Sequence, residues 1–171
     1  MPMLIRWRGA AAQAVEDPFA HVTDDAPIPS GPVILDWTRF QAEGARLDRP
    51  AEAVGVRLAP EDEVETLAPV LTGLGLIALP FAKFRDGRSY SAARILRERM
   101  GWRGELRAVG EVVVDQARFM VRCGFDAFEP ADGSSAEAWS RAVQRFANVY
   151  QRAADDLEPA FAIREGARHG V

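Results

Sequence analysis

Between residues 33 and 128 short apolar runs alternate with segments of helical spacing, and this alternation confines the chain to architectures built on a mainly parallel sheet. The apolar runs at 33–35, 54–58, 76–80, 105–109 and 125–128 are predicted strands. Helices are predicted at 39–45, 61–71, 89–100, 112–123 and 135–153. The 89–100 segment carries Ala92, Ile95, Leu96 and Met100 on one face and stops at Gly101, as amphipathic helices do. In the last segment Ser134 and Glu137 have capping-box spacing, and Trp139, Ala142, Val143, Phe146 and Tyr150 form an apolar stripe. Repeated β-α units joined by right-handed crossovers give either an open sheet or a partial TIM-barrel-like sheet, and periodicity does not choose between them. In both, ligands bind where the carboxyl ends of strands meet helix N-termini.

A length of 171 residues suits one domain. We read residues 1–30 as an irregular N-terminal segment with one added strand at 3–7, 31–154 as the α/β domain, and 155–171 as a C-terminal tail. With 25 acidic against 21 basic residues and a net charge of −4, there is no broad basic footprint for nucleic acid. The most apolar stretch, 67–82, is too short and too broken by Pro69, Gly73, Gly75 and Pro80 to span a membrane, and no secretory h-region opens the chain. A cytoplasmic location is expected. The single cysteine, Cys123, cannot supply a cluster, an internal disulfide or a CxxC pair, and is expected to be a buried thiol. No GxGxxG follows the first strand and no P-loop is present, so no cofactor is evident. His21 and His169 fall in the predicted flexible ends without metal-ligand spacing.

Two polar clusters sit at predicted strand ends. Lys83, Arg85, Asp86, Gly87, Arg88 and Ser89 follow the 76–80 strand, where cations beside a glycine turn and a helix start suit a small oxyanion such as sulfite, sulfate, phosphate or a carboxylate. In the bland reading Asp86 and Gly87 shape the turn, the cations are solvated or paired, and Ser89 is a cap. Arg107, Gly110, Glu111, Asp115 and Gln116 follow along the next strand and helix, with Glu129 after the last strand. Glu111 and Asp115, four apart on one helix face, are candidate general bases, or else dipole-favoured carboxylates in ion pairs.

The motifs FRDGRSYSAARILRER, GELRAVGEV, DQARFM and RCGFDAF, with VGVRLAPEDE before them, closely resemble a bacterial family of uncharacterised proteins. Its members are often labelled oxidoreductases of sulfite reduction, because their genes accompany those of assimilatory sulfite reductase. Ser89 stands where that family frequently has glycine, and Glu111 where it frequently has aspartate. The resemblance implies a role beside sulfite reduction, with the reductase as a partner. An independent reductase must move several electrons, and this chain shows neither a nucleotide fingerprint nor a cysteine set. Three readings follow: an accessory protein that contacts sulfite reductase or holds an oxyanion, a small isomerase, lyase or transferase with an arginine anion clamp, and a non-catalytic interaction module. The oligomeric state is not legible.

Overall fold

The computed structural model describes residues 4–23, 26–83, 85–155 and 157–168; His169 lies outside them, and side chains are described up to residue 164. Eight strands form one sheet: β1 (Leu4–Trp7), β2 (Ala12–Val15), β3 (Ala20–Val22), β4 (Val33–Asp36), β5 (Val54–Arg57), β6 (Leu76–Phe81), β7 (Glu105–Gly110) and β8 (Ala127–Phe128). Their order is β2-β1-β8-β7-β6-β5-β4-β3. From β3 to β8 every strand is parallel to its successor, while β1 pairs antiparallel with β8 and with β2.

That order decides between the two predicted architectures. Winding in a single direction places the helices on one face. β2 and β3, at opposite edges, are joined only by residues 16–19. Five Cα–Cα steps span at most about 18 Å, whereas eight flat strands would hold their edges about 34 Å apart. The sheet therefore curls into a half-barrel. Residues 16–19 form a strap across its concave side.

The helices are α1 (Trp37–Glu43), α2 (Arg88–Arg94), α3 (Ala117–Arg122), α4 (Ala136–Gln144) and α5 (Ala160–Arg168). Trp37, Ala93, Leu96, Met120 and Trp139 from this layer pack on Val56, Ile77, Leu79, Phe81, Leu106 and Phe128 of the convex face as the main core. On the concave face the apolar layer is thin: Ile34, Leu76, Ala78 and Val109, with Phe19 of the strap against them.

Several predicted helices change form. The 61–71 segment is a 3-10 stretch, Val64–Gly73, with Pro69 inside it, whose ring carries no N–H to extend an α-helix. After Arg94, α2 widens into a π-helical turn, Ile95–Arg99. Residues 135–153 form a helix only to Gln144. Its N-cap is Ser135, which accepts from the Ala138 N–H, while Ser134 Oγ accepts from the buried Trp139 indole. Beyond 155, Pro159 precedes α5. In the N-terminal segment the predicted strand is β1, and two further strands follow it. No helix among the described residues is long and apolar enough to cross a membrane.

Candidate functional site

Strand pairing aligns one row of residues across the concave face: Arg6, Ala127, Arg107, Ala78, Arg57 and Asp36, from β1 to β4. Alanines separate the three arginines, so each guanidinium has room to find its own partners.

Arg107 was predicted at a strand end. It lies instead inside β7, wholly buried. Its Nη1 and Nη2 donate to Asp17 of the strap at 2.6 and 3.0 Å, Nε donates to Glu105 at 2.9 Å, and Nη1 also donates to Glu129 at 3.1 Å. Arg6 pairs with Glu105 from the other side. Burial alone would depress the Arg107 guanidinium, but the Asp17 and Glu105 carboxylates hold it above its ordinary range. All three of its nitrogens are thus engaged by carboxylates, and Glu129 belongs to this network.

The turn after β6 has a different character. Lys83 and Arg85 are exposed and make no ion pair among the described residues. Asp86 accepts from the backbone N–H, Nε and Nη2 of Arg88, which holds its carboxyl at about 2. Gly87 precedes the first residue of α2. Ser89 is buried, and its hydroxyl donates to the Pro80 carbonyl at 2.5 Å, tying α2 to the end of β6. This use of a hydroxyl needs no permissive backbone.

Glu111 and Asp115 do not share a helix face. Gly110, at φ 93°, ends β7, the Glu111 N–H donates to the Phe81 carbonyl, and helical structure begins only at the 3-10 turn Val114–Gln116. A Cβ at Gly110 would stand 2.6 Å from that carbonyl, so this tight turn requires glycine. Glu111 and Asp115 are both exposed, and Gln116 is half-buried.

A cavity of about 660 Å³ opens at the carboxyl ends of β4 and β5, beside the start of α1. Five charged side chains line it. Arg39 donates to Glu43 and to the carbonyls of Thr23 and Ala26, and Asp62 accepts from the Ala59 N–H. Asp36 faces His21 Nε2 at 3.3 Å. Arg57 alone has no hydrogen bond or ion pair with a described residue, although Asp36 is its neighbour in register. The strand-end position of residue 57 was legible in the predicted 54–58 strand; the isolation of its charge was not. His21, expected in a flexible end, is fixed on β3 because β3 pairs with β4.

Other residues of the recognisable motifs hold the frame. Arg97, in the π-helical turn, donates to the carbonyls of Gly124, Trp102 and Gly104 and to Asp126. Gly124 has φ 103°, and a Cβ there would meet Arg97 Cγ at 2.5 Å. Cys123 is buried, which pushes its thiol up to about 11 and leaves little thiolate at neutral pH. Among the described residues no group of three His, Cys, Asp or Glu side chains could hold a metal ion.

Comparison with curated proteins and with solved structures gives no match. A family model does match, over residues 55–161, from within β5 to the second residue of α5; it includes Arg57, Arg107 and the β6–α2 turn but not the strap or Asp36. Over that span, which is more than half of its length, the chain belongs to the family described as "Bacterial protein of unknown function (DUF934)".

Proposed function

We propose that this protein is an accessory factor of assimilatory sulfite reduction that holds a small oxyanion at the carboxyl rim of its half-barrel. The observation that carries this reading is Arg57, a guanidinium with no ion pair among the described residues, in a cavity at the strand ends. Binding a divalent anion through two parallel N–H donors would supply the partner it lacks. Lys83 and Arg85, exposed and without an ion pair among the described residues on the next loop of the rim, add positive potential. The link to sulfite reduction comes from the motif resemblance.

Sulfite, sulfate and phosphate should each be tested for raising the melting temperature, with Arg57→Ala as control. A rise of equal size in the variant would sink the rim site. Failure of sulfite reductase to co-purify from native extract at low salt would count against direct contact with the reductase.

The enzyme reading is favoured by one specific observation, the His21–Asp36 pair beside Arg57. An imidazole oriented by a carboxylate can move a proton while Arg57 holds the substrate's anionic group. In this version the base is His21 and not Glu111 or Asp115. Turnover of a phosphorylated or sulfonated metabolite that survives His21→Gln would refute it.

A further inference from the structure

A second cavity, of about 860 Å³, lies at the opposite end of the sheet, where the loops lead into β7 and β8. Six arginines line it against three acids. Arg94 pairs with Glu98, Arg97 with Asp126 and Arg122 with Asp155. Each of these acids is thereby matched, leaving Arg103, Arg118 and Arg152 without a carboxylate among the described residues. Among the described residues Arg118 donates to the carbonyls of Val143 and Asn148, and its guanidinium lies over the Phe146 ring. Among the described residues this lining carries a surplus of three cations, in a chain whose net charge is −4.

Apolar groups are gathered in the same part of the chain. Among the described residues the exposed large hydrophobics are Phe119, Phe146, Tyr150, Leu157, Phe161 and Ile163. Leu157 lines the cavity, and Phe146 reaches it through Arg118. The connection between α4 and α5 that carries Phe146, Tyr150 and Leu157 is itself held down by Arg118 and Arg122. Arginine and aromatic side chains together are the typical composition of interface hot spots.

We infer that this cavity and its apolar border dock an acidic segment of a partner protein, its carboxylates meeting Arg103, Arg118 and Arg152 and an apolar side chain packing against Leu157 and Phe146. Charge complementarity selects the partner's sign, and the apolar border selects a peptide over a bare anion. The site lies at the other end of the strands from the rim and is independent of the oxyanion reading.

The test is fluorescence anisotropy with a fluorescein-labelled synthetic peptide of glutamates interspersed with phenylalanine and leucine, on the full chain at low salt. Arg103 and Arg152 are exposed and their side chains make no hydrogen bond or ion pair with a described residue, so the double variant Arg103→Glu/Arg152→Glu should keep the native melting temperature. It should weaken the peptide by about tenfold or more, Leu157→Ser should weaken it independently, and Arg57→Ala should leave it unchanged. Absence of binding at low salt, equal binding by the double variant, or displacement of the peptide by ADP would each overturn the inference. So would a self-association abolished by the same double variant, since the occupant would then be a second copy of this chain.

Discussion

Arg107 and Arg57 occupy the same row of the same sheet, two strands apart, yet one is wholly buried and carries three carboxylates while the other carries none among the described residues. The difference comes from the strap. Asp17 reaches Arg107, and Phe19 packs on Ile34, Leu76, Ala78 and Val109, but no strap carboxylate reaches Arg57. One half of the concave face is therefore neutralised and closed, and the other keeps a charge for something outside the chain. An arginine near a strand end becomes a binding group or a structural bolt according to which loop crosses above it.

The largest effect should come from Arg107→Ala, which strands three carboxylates against a buried face. A loss of about 3–5 kcal/mol is expected in urea unfolding, and a loss below about 1 kcal/mol would show that the network is not structural. Asp17→Asn keeps the shape of the strap but removes its charge, and should cost about 1–3 kcal/mol. Amide exchange at residues 16–19 should then speed up while that in β6 does not; equal acceleration in both would mean that the strap does not act locally.

Arg57→Ala should change stability by no more than about 0.5 kcal/mol while abolishing any oxyanion-induced rise in melting temperature. A large loss of stability would erase the contrast between the two arginines. The smallest effect concerns the exposed pair. Asp86 falls from 3.8 to about 2 through its hydrogen bonds to Arg88, so its folded value is depressed below its unfolded one. Its contribution is fully present above pH 3.8 and disappears as pH falls toward 2. Asp86→Asn should remove that pH dependence, read as the difference between the wild-type and variant stability profiles across the window.

Six of the eight strands were legible to within a residue or two, as at 54–58 against Val54–Arg57 and 105–109 against Glu105–Gly110, because they are apolar runs between turn signals, whereas β2 and β3, short and largely polar or exposed, were not. Helices were less so. Phe146 and Tyr150 continue the apolar spacing of α4, but the helix stops at Gln144 and leaves both exposed. Of the polar clusters, the contact of Asp86 with Arg88 is local, an i,i+2 turn pair, yet Arg88 was expected to bind an anion, stay solvated or pair elsewhere. Arg107 with Asp17 could not be read in advance, since the partners stand 90 residues apart and no spacing relates them. His21 was likewise illegible, because its neighbour Asp36 depends on β3 joining the sheet beside β4.

By itself, then, the order of apolar and polar residues determined a parallel, repeatedly wound sheet with charged loops at its strand ends, because hydrophobic period and turn chemistry act over a few residues. Only the tertiary structure decided that the sheet curls, since that follows from a four-residue connection between its two edges. It also decided which arginines are free, because charge compensation depends on through-space distance. The same curl that closes the strap over Arg107 leaves Arg57 open at the rim.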